Sequence, residues 1–291
     1  MNVTNELAPL VSVIVPTRNS ARTLDACLKS VHLQLYHPIE LIVVDNNSSD
    51  TTLDIARQYA DVIENVGPER SAQRNLGAHV AHGNFFLFID SDMVLAEHVV
   101  GDCVDAMRMS GVPAVVVPEV SVGEGFFARC RALERSCYTG DDSVEAARFY
   151  TRTVFEAAGG FDENLTGPED WDLSLRVAAG RHLPRAASSI SHDEGRVRLG
   201  PALAKKRYYA ASSLLYFHKH GRSSLGQANL IFRPAFLRNW RRLLRHPILT
   251  TGVLFLKTLE AAALLSGLSE AWVRSLGTEE AARPSGPARH T

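Results

Sequence analysis

Residues 84–95, N-F-F-L-F-I-D-S-D-M-V-L, constrain the fold more than any other stretch of this chain. Phe85 to Ile89 form an unbroken apolar run that is too short to cross a membrane. Its aromatic and β-branched content suits a buried central strand. The run stops at Asp90-Ser91-Asp92. A strand that ends in two carboxylates puts acid at the sheet edge where open α/β folds bind ligands. Aspartates one residue apart point the same way only where the backbone stays extended. If it turns, one can meet a sugar hydroxyl and the other a cation. Hard divalent ions such as Mg2+ take carboxylate oxygens and usually share a diphosphate. Alone, D-x-D also serves as a polar strand exit or a helix cap, so the rest of the chain must supply the other parts.

The flanking segments repeat one layout. Residues 11–16, V-S-V-I-V-P, read as a buried strand that Pro16 ends because it has no N–H to give. Thr17, Arg18, Asn19 and Ser20 form the loop that follows. Residues 23–35 carry Leu24, Leu28, Val31 and Leu35 at helical spacing. A strand at 40–44 ends in Asp45, and Asp50 can cap a helix over 51–59. A short strand at 61–64, a turn at Gly67-Pro68 and a helix at 71–81 lead into the central strand. A helix over 97–109 and a strand over 114–118 follow it. Residues 121–144 read as a helix and a mobile loop near the cleft, 147–150 as an edge strand, and 153–158 as a short helix. This alternation predicts a three-layer, Rossmann-like α/β fold on a mostly parallel sheet. Successive strand ends then share one edge, so Thr17 and Asn19, Asp45, and Asp90 and Asp92 converge in a single cleft.

The first turn excludes two common nucleotide-binding classes. No G-x-G-x-x-G follows the first strand, which argues against a dehydrogenase, and no G-x-x-x-x-G-K-[ST] exists, which argues against a P-loop NTPase. A nucleotide here would be gripped by side chains and a metal. With 291 residues, 45% of them hydrophobic, the chain can bury one large domain with an appendage. Cys27, Cys103, Cys130 and Cys137 form no C-x-x-C pair and read as reduced thiols. The first nine residues lack a basic start and an apolar core, so no signal peptide is expected.

A second acidic segment lies far along the chain. Gly159-Gly160-Phe161-Asp162-Glu163 leads to Pro168-Glu169-Asp170-Trp171-Asp172. The glycines permit close backbone approach or positive φ. Glu169 and Asp170 open a helix expected over 170–179, where the dipole favours carboxylates. Leu173 and Val177 would pack that helix inward. Plain helix capping accounts for these acids equally well from this segment alone.

Taken in order, V-S-V-I-V-P-T-R-N, V-V-D-N-N-S-S-D, R-N-L-G-A, F-I-D-S-D, G-G-F-D-E and P-E-D-W-D-L-S-L-R make a known pattern. The chain resembles the family-2 glycosyltransferases with the A-type nucleotide-sugar fold, over roughly residues 10–192. The resemblance implies a role for each matched position. Pro16, Thr17 and Asn19 would lie along the nucleotide, and Asp45 would bond the base. Arg74, with Arg70, would approach ribose or phosphates, and Asn75 would hold that loop. Asp90, with Ser91 beside it, would meet the ribose and metal side, and Asp92 the metal itself. Asp170 would be the catalytic base. His192 sits where some members place a further metal ligand. Arg18 and Asn46 depart from the usual pattern and bear on base preference.

The chemistry such residues permit is sugar transfer with inversion. The donor breaks at its anomeric carbon and a nucleoside diphosphate leaves, which a cation on Asp92 and the charge of Arg74 would offset. A carboxylate takes the acceptor's proton, a contribution of roughly 10²–10⁴-fold. Asp170 is the candidate, with Glu169 and Asp172 as rivals. The implied cofactors are Mn2+ or Mg2+ and a nucleotide-sugar donor, a UDP-sugar before a GDP-sugar.

Residues 196–245 hold twelve Lys and Arg and no Asp or Glu, against 31 basic and 32 acidic residues in the whole chain. An acidic front and a basic back imply two partners. Residues 201–220 read as one helix. Residues 231–245 mix Phe232, Phe236, Leu237 and Trp240 with Arg233, Arg238, Arg241, Arg242 and Arg245, a basic amphipathic helix suited to an anionic membrane surface. Residues 248–268 are mostly apolar, but Lys257 and Glu260 make them a poor transmembrane span. They read as a second interfacial helix or a homodimer contact, the alternative being an appendage packed on the sheet. No motif for nucleic acid accompanies the charge. The division expected is a flexible 1–9, a catalytic domain over 10–195, a basic helical region over 196–277 and a disordered tail over 278–291. The function expected is a metal-dependent transferase at the cytosolic membrane face with a lipid-linked acceptor. The alternatives are a soluble enzyme for a polysaccharide or small-molecule acceptor, and an inactive membrane-bound scaffold.

Overall fold

A computed structural model describes residues 8–221 and 233–281, with side chains through residue 270. The chain runs β1 (Val11–Thr17), α1 (Leu24–His32), β2 (Ile39–Asp45), α2 (Thr52–Ala56), β3 (Val62–Asn65), α3 (Arg70–Val80) and β4 (Phe85–Phe88). Side chains alternate across a strand, and here the alternation sorts two cores. Val11, Val13, Val15, Leu87 and Ile89 pack with Leu24, Leu28 and Val31 of α1 and with Val99 to Met107 of α4 (Val99–Ser110). Ile14, Ile42, Val44, Phe86 and Phe88 face the other way, against Phe155, Phe161, Leu173 and Val177. The result is the expected three-layer fold. Leu35 lies beyond the end of α1 and is exposed, because the helix stops at His32. All four cysteines are buried and unpaired.

The main sheet has the order β3-β2-β1-β4-β8-β6. β1 to β4 are parallel, while β8 (Ala147–Thr151) runs antiparallel between β4 and β6 (Ala114–Val116). The segment expected as an edge strand is therefore internal, and its burial on both faces fits that place. A second sheet, not anticipated, joins β5 (Met93–Leu95), β9 (Ile190–Arg196) and β7 (Glu119–Glu124). The region expected as a helix and loop over 121–144 begins in β7 and continues as α5 (Gly125–Ser136). α6 (Arg152–Ala157) and α7 (Glu169–Ala178) complete the domain.

The basic region folds back on this domain. The single helix expected over 201–220 divides at Tyr209 into α8 (Leu199–Tyr208) and α9 (Ala210–His220). The helix expected over 231–245 is instead two short ones, α10 (Pro234–Arg238) and α11 (Trp240–Leu244); its residues 231 and 232 lie outside those described. α12 (Pro247–Ala281) follows and carries the helix past Thr278, so of the tail expected from 278 only residues 282–291 lie outside those described. Part of the basic charge is met within the chain: Lys219 pairs with Asp162 and Asp172, Arg238 with Asp141, and Arg207 with Glu270. The opposed charges of front and back are thus partly complementary surfaces of one molecule.

Residues 247–270 of α12 are long and apolar enough to cross a membrane by length and composition. Lys257 and Glu260, which interrupt the apolar pattern of such a span, are both buried against α5. Lys257 bonds Glu134 and Glu260 at 2.6 Å each, and Arg131 bonds Glu260 at 2.9 Å. Gly252 lets the helices approach, since a Cβ there would stand 2.4 Å from Cys130 Sγ. Burial alone would raise the Glu260 pKa, but Lys257, Lys206 and Arg131 outweigh it and bring it to about 2. A carboxylate depressed in this way stabilises the fold above its unfolded pKa and loses that contribution as pH falls through the folded value. Acidification from about pH 4.5 to about pH 2 should therefore cost the attachment of α12 about 3 kcal/mol. Denaturation midpoints over that range should fall more steeply for wild type than for Glu260→Gln; parallel curves would refute this.

Candidate active site

Strand order decides where the cleft forms. From β1 the sheet grows toward β2 and β3 on one side and toward β4, β8 and β6 on the other. Open α/β sheets bind ligands beyond the strand ends at such a switch point. Asp90 and Asp92 follow β4 there, and Thr17 and Asp45 end β1 and β2 in register.

Asp90 is enclosed by guanidinium groups. Arg74 Nη2 donates to its Oδ1 at 2.7 Å, and Arg148 and Arg70 lie at 3.8 and 3.9 Å. Burial would raise the Asp90 pKa, but the three arginines outweigh it and hold the carboxyl far below the usual carboxylate range. Arg74 is fully buried and also reaches Asp170 at 2.8 Å and Glu169 at 3.5 Å. The expectation that Arg74 approaches ribose or phosphates meets a side chain with no exposed surface. It ties β4 to α7 instead, because three carboxylates gathered at one sheet edge need a counter-charge. Arg70 is the partly exposed member of the pair, and its Nη2 donates to Tyr209 Oη at 3.2 Å.

The acids of α7 diverge although all three occupy its first turn. Glu169 is buried, and burial followed by the charge of Asp170 raises its pKa against the pull of Arg74 and Arg70. Asp172 is fully buried on another side, paired with Arg176, Lys219 and His220 at 2.6 to 2.8 Å. Asp170 alone keeps open surface, 26% of its side chain, and lines a cavity of about 300 Å3. Its Oδ2 makes no hydrogen bond among the described residues.

Asp92 immediately precedes β5 of the second sheet. Its Oδ2 lies 3.4 Å from Nε2 of His192 on β9, whose Nδ1 lies 3.3 Å from Glu119 Oε2 on β7. Asp92 Oδ1 is buried without a hydrogen-bond partner. Burial lowers the His192 pKa, but its bonds with Asp92 and Glu119 prevail and push it up to about 9. Glu119 also accepts from Arg148 Nε at 2.7 Å and from Arg135. Glu119, Arg135 and Arg148 were not foreseen. An arginine inside the otherwise apolar A-R-F-Y-T strand was the only sequence signal that marked Arg148.

The residues expected along the nucleotide mostly bond one another. Asp45 is fully buried and accepts from Thr17 Oγ1 at 3.0 Å and from the Ser48 N–H at 2.7 Å, so it braces the loop rather than facing outward. Pro16 is buried in β1 beside Val44. Asn19 has φ +49° and accepts from the Ser49 N–H at 2.9 Å. Ser91 Oγ lies 2.8 Å from Ser20 Oγ. Asn75 holds the 159–163 loop, donating to Phe161 O at 2.9 Å and accepting from the Phe161 N–H at 2.9 Å. Gly160 has φ +68° there, and a Cβ on it would meet Asn75 Oδ1 at 2.7 Å.

The model of the family described as Glycosyl transferase family 2 matches residues 12–159, half of the chain. The chain belongs to glycosyltransferase family 2. This transferase is 31% identical over 182 residues to a PGL/p-HBAD biosynthesis glycosyltransferase of Mycobacterium bovis, a match covering 58% of the chain and 70% of the relative. Its fold is the A-type fold of S. aureus TarS 1-349, solved in complex with UDP-GlcNAc, with TM-score 0.54, 17% identity and 92% of each chain covered. The transferase spans 56% of the longer TarS chain. A mannosyltransferase from Pyrobaculum calidifontis, in complex with GDP-Man and Mn2+, has TM-score 0.57 and 19% identity, over 96% of this chain and 82% of that one. The family match ends before Asp170 and His192, so their roles rest on geometry.

Proposed function

We propose that this enzyme moves a sugar, with inversion, from a nucleotide-sugar donor to an acceptor hydroxyl, with Asp170 as the base. One observation carries the reading. The single open acid of α7 faces a cavity while Arg74 ties it to the aspartate at the end of β4. Asp170 Oδ2 takes the acceptor proton, the freed oxygen attacks the anomeric carbon, and the bond to the diphosphate breaks with its electron pair going to the leaving group. Arg70, partly exposed at the same edge, is placed to meet that diphosphate. The nucleotides carried by the structural neighbours support a UDP- or GDP-sugar donor.

A divalent cation fits Asp92. Its buried, unpartnered Oδ1 is an acceptor in want of a partner, and His192 offers a nitrogen beside it. Among the described residues no cluster of three or more protein ligands exists. Mn2+ or Mg2+ bound by few side chains and the donor's phosphates needs no such cluster. Asp92 and a deprotonated His192 would hold the ion, and Asp90 is left to its arginines. Bound there, the ion would supply positive charge to the departing diphosphate. Thermal-shift titration tests the reading. One of UDP or GDP with Mn2+ should raise the Tm, a ligand at 100 times its Kd adding about 2.7 kcal/mol. Asp92→Asn should remove the Mn2+-dependent part alone. No response to either nucleotide would sink the donor assignment.

The acceptor, on this reading, is lipid-linked at the cytosolic membrane face. Support comes from Leu237, Trp240, Leu244 and Ile248, all exposed beside exposed Arg241 and Arg245, the makings of an interfacial surface. In flotation, the chain should rise with phosphatidylserine vesicles, and Trp240→Glu with Leu244→Glu should leave it at the bottom. A wild-type chain that ignores such vesicles favours the soluble alternative, with a polysaccharide or small-molecule acceptor.

A further inference from the structure

The cavity beside Asp170 holds more cations than its acids pair. Arg131 and Lys257 are bonded to Glu260 and Glu134, and Arg135 and Arg148 to Glu119. Arg233 and Lys206 remain. Arg233 is 6% exposed, its side chain makes no hydrogen bond or ion pair among the described residues, and its Nε is buried and unpartnered. Its guanidinium carbon lies 5.0 Å from the Tyr138 ring centroid and 6.0 Å from that of Trp171, the neighbour of Asp170. The Lys206 side chain makes no hydrogen bond and no ion pair within 4 Å among the described residues; burial, with Lys257 and Arg131 nearby, lowers its pKa against the pull of Glu260 and Glu134.

A buried cation without a counter-ion is costly, and aromatic faces return only part of that cost. The chain holds that charge at the wall of a cavity it shares with Asp170, in a side chain whose planar fork suits carboxylate or phosphate. We infer that the cavity is an acceptor subsite for anionic acceptors: Arg233, with Lys206, takes a phosphate or carboxylate of the molecule whose hydroxyl meets Asp170. The inference rests on the reading of Asp170 as the base. It adds that the acceptor carries its own negative charge, set apart from the donor diphosphate.

The test uses the full chain saturated with UDP or GDP and Mn2+, titrated with inorganic phosphate and with glucuronate at constant ionic strength. Both anions should bind without displacing nucleotide, and Arg233→Gln should weaken them by about tenfold or more with nucleotide affinity unchanged. Unchanged nucleotide affinity shows that the variant has folded. Anion affinity equal to wild type in Arg233→Gln overturns the inference. So does the absence of any binding by nucleotide-saturated wild type at tens of millimolar, whatever the variant does. Dodecyl phosphate binding more tightly than inorganic phosphate would identify a lipid-linked anion, and equal binding a soluble one; either supports the site. Asp170→Asn should bind the anions as wild type does. Loss of the anion site therefore leaves the base assignment standing, and an active Asp170→Asn enzyme leaves the anion site standing.

Discussion

Asp170→Asn should lower transfer by about 10²–10⁴-fold, the usual worth of a positioned general base, while nucleotide affinity stays within a factor of two or so. The asparagine has the same shape, and its amide oxygen can still accept from Arg74, which holds the present carboxylate at 2.8 Å. What disappears is an oxygen able to take a proton. The loss should fall on kcat, because the acceptor still binds and only the transition state loses its partner. The rivals on the same helix should behave differently. Asp172 is fully buried and paired with Arg176, Lys219 and His220, so Asp172→Asn should lower the Tm and spare kcat in the protein that remains folded. Glu169 accepts from the Gly167 N–H and lies against Arg74 and Arg70, so Glu169→Gln should cost stability before rate. Single-turnover transfer with a saturating donor separates these outcomes. An Asp170→Asn enzyme turning over near the wild-type rate would remove the base from the mechanism.

The sequence showed the layers of the fold and the sheet edge that carries the acids, because period-two alternation and short βα repeats are local signals. Val11 to Val15 and Phe85 to Ile89 announced their burial directly. The second sheet was hidden for a physical reason. β5 is three residues long, and its partners β7 and β9 lie far along the chain with polar sequences such as I-S-H-D-E-G-R. That sheet gives Asp92 its neighbours, so the surroundings of Asp92 and His192 could not be read from motif order. The same holds for Arg148. Its pairing with Glu119 depends on the contact of two sheets, which no spacing encodes. Lys257 and Glu260 misled in the other direction: as a pattern they interrupt an apolar helix, whereas in three dimensions they anchor it to α5.

Arg74→Met should destabilise the protein by about 3–5 kcal/mol at neutral pH, the cost of stripping a partner from buried charges. Arg74 is fully buried and, among the described residues, is the one group that touches Asp90, Glu169 and Asp170 together at 3.5 Å or less. Arg70 stands at 3.9 Å from Asp90 and 3.5 Å from Glu169, with part of its charge in solvent, so it compensates poorly. Arg74→Lys should recover only part of the loss, since an ammonium cannot hold carboxylates on two elements in the geometry of a planar fork. The pH dependence gives the sign. The depressed pKa of Asp90 stabilises wild type above the ordinary aspartate value and ceases to do so as pH falls through the folded value. The variant lacks most of that contribution, so the gap between the two should narrow as pH drops below about 4. Adding Asp90→Asn should restore part of the stability lost in Arg74→Met, because one of the three orphaned carboxylates goes with it, and a double-mutant cycle would report the coupling. Activity should not return, as Asp170 would still lack the bond that fixes it. If Arg74→Met melts like wild type at neutral pH, or if its deficit grows on acidification, Arg74 does not join β4 to α7 electrostatically. The alignment of Asp170 would then need another source.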